Sequence, residues 1–136
     1  MLLSMTRGSY HGEPINAKPL YIIAIFKGIE DGNILGNKLP FSPSLEHLYV
    51  YTCKEYEPNK IPTPFYKPFF HSKSEPFYFI KWKGGKDIDK ACRTPSAKYL
   101  RENVEYAALD DQLWDMLQDA NIREELKQTI IKYFLR

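Results

Sequence analysis

The residues with chemical capacity in this chain are few and scattered. Three histidines, His11, His47 and His71, lie far apart and lack metal-ligand spacing. Cys53 and Cys92 form no CxxC pair and have no histidine beside them. Neither zinc nor a redox motif is expected, and both read as free buried thiols. Glu125 and Lys127 match the E-x-K element of a common nuclease core, but they fall in a segment that reads as helix, where that core needs a strand. Gly84, Gly85 and Lys86 lack the earlier glycine and the following Ser/Thr of a phosphate loop, and no GxSxG is present. The chain by itself is therefore not expected to be an enzyme, and no cofactor is expected.

What remains is charge and aromatic surface. The net charge of +2 hides a polarised distribution. Residues 1–59 carry a net −1, residues 60–101 a net +7 and residues 102–136 a net −4. A basic middle third beside an acidic end favours a polyanion at one face. Lysines supply phosphate attraction through counterion release, and interleaved aromatics can stack on bases or line an apolar pocket. The basic candidates run from Lys67 to Lys98, with Arg7 and Lys18 in or beside the N-terminal arm. Nucleic-acid binding is the first expectation from composition, and a protein-interaction module is the second.

The elements that must position these residues can be read in outline. Residues 1–17 read as an arm, with Gly8, Gly12 and Pro14 and no clear period, followed by one domain over 18–136. "KPLYIIAIFKGIEDGN" reads as a helix with Pro19 at its first position and Gly32 and Asn33 as stop signals. Leu20 to Phe26 is apolar nearly all round, so this helix belongs at the centre of the core. Ser44 is a candidate cap for a second helix, which must end before Pro58. "FFHSKSE" and "PFYFIKWKG" read as two strands around a tight connection. Thr94 or Ser96 can cap a helix running toward Tyr106. Asp110 or Asp111 then caps the last helical stretch, in which Ile122, Leu126, Ile130 and Phe134 recur every four residues. The expected fold is α+β, a mostly helical single domain with a small antiparallel hairpin. The longest apolar run is far shorter than the roughly 20 residues of a membrane helix, and "MLLSM" is too short for a signal peptide, so a cytoplasmic location is expected.

Four stretches carry a resemblance: "NAKPLYIIAIF", "IEDGNILGNKL", "KPFFHSKSEPFYFI" and "SAKYLRENVEYAALDDQLWDMLQDANIREELKQTIIKYF". In order and approximate spacing, from about Lys18 to Phe134, they resemble the DNA sulfur-binding domain of McrA-type, type IV restriction endonucleases. The C-terminal stretch is the most specific part. The resemblance implies a module that reads duplex DNA in which sulfur replaces a non-bridging phosphate oxygen, with a His-Asn-His nuclease as a separate domain. It implies a site in which Pro68 walls an apolar cavity, Phe69 and His71 follow it, and Lys18 and Arg93 supply basic groups. Lys67 stands where the family has an aromatic residue, and Ala17 where it has a histidine. Lys67 and Lys98 complete the expected DNA-contacting set. A homodimer would suit a palindromic site. The alternative is a protein-interaction domain, or a reader of unmodified or otherwise modified DNA, that keeps the fold without sulfur specificity.

Overall fold

The computed structural model describes residues 2–10, 13–85 and 94–135. In chain order the elements are β1 (Ser9–Tyr10), β2 (Glu13–Pro14), α1 (Ala17–Glu30), α2 (Pro43–Tyr56), α3 (Tyr66–His71), β3 (Tyr78–Trp82), α4 (Ala97–Asn103), β4 (Val104–Leu109), α5 (Asp111–Met116) and α6 (Ala120–Phe134). Short 3-10 turns cover Leu2–Ser4, Ser72–Ser74 and Lys83–Gly85. The α+β, mostly helical reading holds. No described helix is long and apolar enough to cross a membrane.

Central α1 is buried on nearly every side, with Leu20 through Phe26 all at or below 2% exposure. It packs on α2, α3 and α6. Pro19 is its third residue, not its first as expected; a proline costs little anywhere in the first turn, where amides have no intrahelical acceptor. The chain leaves α1 through Gly32, whose φ of +79° lies in the left-handed region. Ser42, not Ser44, caps α2: its Oγ accepts from the Leu45 amide at 3.3 Å, and Pro43 supplies the pre-set first helical position.

The segment expected to be the first strand of a hairpin is helical. Residues 66–71 form α3 and a 3-10 turn follows. Helical spacing seats Phe65 and Phe69 together in the core, where their ring centroids are 5.6 Å apart. Phe65 also stacks on Phe41 at 5.1 Å, and Phe69 meets Phe41 at 5.0 Å. Such packing outweighs the strand preference of aromatic residues. Pro68 fits because it is the third residue of α3, where no amide donor is required.

The sheet therefore forms differently. β3 pairs antiparallel with β4, not with the preceding segment, and the register shifts between Lys81 and Trp82. Leu39 extends the pairing through a bridge to Ala107. Asn37 seals that edge by exchanging hydrogen bonds with the Leu109 amide and carbonyl. The helix expected to run toward Tyr106 accordingly stops at Asn103, with Ser96 as its cap. The C-terminal helical stretch is also broken in two. Asp110 caps α5, and Asp119 caps α6 by accepting from the Asn121 and Ile122 amides. Near the N-terminus, Leu2 and Met5 are buried, while the Arg7 guanidinium lies 4.7 Å from the Phe134 ring centroid and donates to Asn16.

Candidate nucleic-acid interface

The segment 65–75 holds most of the expected contacts, and its helical form sorts them by direction. Phe69 is fully buried, and Pro68 is buried beside it. Both pack toward the core, where the expectation had them contacting DNA. Lys67 and His71 lie one helical turn apart and are exposed. Lys73 follows, with its Nζ 4.9 Å from the Phe70 ring centroid.

His71 ties this helix to the approach of α4. Its Nε2 lies 2.6 Å from Thr94 Oγ1. Burial, then the ammonium groups of Lys18, Lys73 and Lys67, holds the imidazole below its usual titration range. Lys67 and Lys73 lie on either side of His71 in the same short segment. Lys98 is exposed on the first turn of α4. Arg93 lies outside the described residues.

Lys18 occupies a different setting from the one expected. Its Nζ lies 2.8 Å from Glu75 Oε2, and the two side chains are only 11% and 5% exposed. The same ammonium donates to Thr6 Oγ1 at 2.9 Å and Ser74 Oγ at 3.0 Å. Lys18 is thus saturated by the protein itself. Burial acts to raise the Glu75 carboxyl, but its bonds to Lys18 and Thr6 outweigh that and hold it below the usual carboxylate range.

The proline-walled cavity that sequence reasoning assigned to Pro68 has a counterpart elsewhere. A pocket of about 150 Å³ is lined by Pro43 and Pro64, the aromatic residues Phe41, Phe65 and Tyr66, and Arg101. Glu46 also reaches its wall. This pocket joins the start of α2, the start of α3 and one side of α4. Lys67 and Lys98 are chain neighbours of its lining residues Tyr66 and Ala97. Sequence reading missed Pro43, Pro64 and Arg101, because the pocket is assembled from three separated segments. Only the density of prolines between Pro58 and Pro68 hinted at it.

A larger pocket of about 570 Å³ lies between the start of α1, the end of α2 and residues 59–63. Its Glu57 is already engaged by Asn16 and Lys60. Cys53 in its wall is free and buried, with burial pushing the thiol up to about 11. Such a thiol stays protonated at neutral pH and is a poor nucleophile. Among the described residues, no group of three or more His, Cys, Asp or Glu side chains could hold a metal ion. Glu125 and Lys127 sit on α6, so that motif lacks the strand context a nuclease core needs. No protein-family model matches the chain, and no curated protein matches it.

Proposed function

We propose that this domain binds duplex DNA through the face formed by α3 and the start of α4, as the targeting module of a system that reads phosphorothioate-modified DNA. The observation that carries the DNA reading is the placement of Lys67 and His71, exposed one turn apart on α3 with Lys73 following, together with the contact from His71 to Thr94, in the segment that leads into α4 and the exposed Lys98. Clustered ammonium groups bind backbone phosphate by releasing counterions. They position the duplex without reading its sequence.

The sulfur reading rests on the family resemblance, and the pocket walled by Pro43 and Pro64 is its best-suited seat. Sulfur is larger and more weakly hydrated than oxygen, so an apolar wall costs it less. A proline ring offers apolar surface and has no amide N–H left unpaired. Arg101 on the lining would neutralise the charge that the phosphorothioate keeps. In this reading the chain works in the cytoplasm and itself recognises without cutting, and two copies would suit a palindromic site.

The test is a fluorescence titration with matched duplexes, with and without sulfur at one linkage, across a range of salt. Tighter binding of the sulfur duplex, with affinity falling as salt rises, is the expected result. Equal binding of both duplexes removes the sulfur claim. Absence of salt-sensitive binding to either removes the DNA claim and leaves a protein-interaction domain.

A further inference from the structure

The expected phosphate contact Lys18 is held beneath the basic face by a carboxylate from its own chain. Four donors converge on one oxygen, Glu75 Oε2. They are the Thr6 amide at 3.1 Å, the Thr6 hydroxyl at 3.1 Å, the Lys18 ammonium at 2.8 Å and the Ser74 hydroxyl at 3.4 Å. An amide, two hydroxyls and an ammonium make a donor set suited to a phosphate oxygen. The donors come from three separate places, the N-terminal segment, the first turn of α1 and the turn after α3. Ser74 Oγ also lies 3.0 Å from the His71 carbonyl, an alternative acceptor for the same single proton, which joins this cradle to the exposed cluster.

We infer that Thr6, Lys18 and Ser74 form a phosphate-binding cradle in which Glu75 is an internal occupant, so that a DNA phosphodiester gains Lys18 by displacing the Glu75 carboxylate. This deepens the DNA reading above and rests on it. The chemistry of the exchange is balanced. One anionic oxygen leaves four donors and another takes them, so no buried donor is orphaned. Glu75 is the first residue after a 3-10 turn and has extended backbone, with φ −89° and ψ 143°. A rotation of its side chain therefore frees the cradle without unwinding a helix. Thr6 and Ser74 are exposed, so the cradle's rim is open to an incoming phosphate. The consequence is a threshold. A lone anion must outbid a buried carboxylate, whereas a duplex already held by Lys67 and Lys73 presents its phosphate at high effective concentration. Glu75 would thus suppress adventitious anion binding and reserve Lys18 for a duplex that is already docked.

The experiment is a double-mutant cycle on the full chain. Duplex affinity is measured for the parent protein, Glu75→Gln, Lys18→Gln and the double variant. Glu75→Gln should tighten binding roughly tenfold, the worth of one charge-assisted hydrogen bond. That gain should largely vanish when Lys18 is already Gln. An equal gain in both backgrounds would mean that Glu75 acts only through its general field and would overturn the inference. Weaker binding on Glu75→Gln would make Glu75 a brace and overturn it as well.

A second readout needs no DNA. Inorganic phosphate at ten times its dissociation constant should raise the unfolding midpoint of Glu75→Ala by roughly 4 °C. It should not do so for the parent protein or for Lys18→Gln/Glu75→Ala. Equal shifts in all three would reject the cradle. Phosphate rescue together with no duplex binding by the parent would reject the DNA reading and keep the cradle. Should Glu75→Ala fail to fold, the same titration on Glu75→Gln decides.

Discussion

Removing one hydroxyl, in Tyr78→Phe, tests how α3 is held in place. The Tyr78 hydroxyl donates to the Phe69 carbonyl at 2.7 Å and lies 3.0 Å from the Tyr21 hydroxyl. A carbonyl only accepts, so Tyr78 must give its proton to Phe69, and Tyr21 must give its own to Tyr78. The chain of bonds thus has a direction, Tyr21 to Tyr78 to Phe69. Both tyrosines are buried, at 0% and 3% exposure, so water cannot replace a lost partner. Tyr78→Phe deprives the Tyr21 hydroxyl of its acceptor and the Phe69 carbonyl of a donor. At about 1–3 kcal/mol per orphaned buried group, the loss should be about 3 kcal/mol. Tyr21→Phe removes a donor but leaves Tyr78 bonded to Phe69, so it should cost only about 1 kcal/mol. The double variant should cost less than the sum, because it leaves no orphaned Tyr21 hydroxyl. Equilibrium unfolding in urea measures all three, read as midpoint shifts at constant slope. A Tyr21→Phe loss equal to or larger than the Tyr78→Phe loss would refute the direction of the chain and the reasoning built on it. The same bond fixes the backbone of the helix that presents Lys67 and His71, so hydrogen exchange in α3 should also rise in Tyr78→Phe.

Other outcomes follow from the same geometry. Lys67→Gln should weaken sulfur and oxygen duplexes by similar factors and lower the salt slope by about 1, read from titrations across salt. Arg101→Gln should weaken duplex binding, while Pro64→Ala should reduce only the preference for sulfur, read as the ratio of the two affinities. Because the folded His71 pKa is depressed below its unfolded value near 6.5, the free protein should lose stability as pH falls below about 6.5. A bound phosphate raises that pKa, so duplex affinity should increase as pH falls through the same window, and His71→Gln should flatten the pH profile in fluorescence titrations. Asp119→Ala removes the acceptor of the Asn121 and Ile122 amides at 2.8 Å and 3.1 Å and should cost about 1 kcal/mol in urea unfolding.

Local patterns were informative wherever one element alone decided the outcome. Leu20 to Phe26 is apolar on every side, and that alone marks a helix with no solvent face. Residues 20–26 are buried as expected. The four-residue recurrence of Ile122, Leu126, Ile130 and Phe134 likewise marks one side of α6, of which Ile130 and Phe134 are buried. Caps are legible as residue types: Ser96 and Asp110 are among the expected caps, while Ser42 caps α2 in place of Ser44 because Pro43 supplies the pre-set position after it. The acidic break at Asp119 was hidden within a long periodic stretch.

The charge along this sequence and its apolar periods determined a basic middle segment, a buried first helix and a mostly helical domain, because each depends on residues close together in the chain. Tertiary structure alone decided that residues 66–71 are helix and that the partner of β3 is β4, because both depend on what faces them from distant segments. Aromatic residues suit either state until Tyr21, Phe41 and Phe65 claim Phe69 from one side. Lys18 shows the same division. Its positive charge was plain from the sequence, but Glu75 lies 57 positions away, and only folding brought a carboxylate to the ammonium.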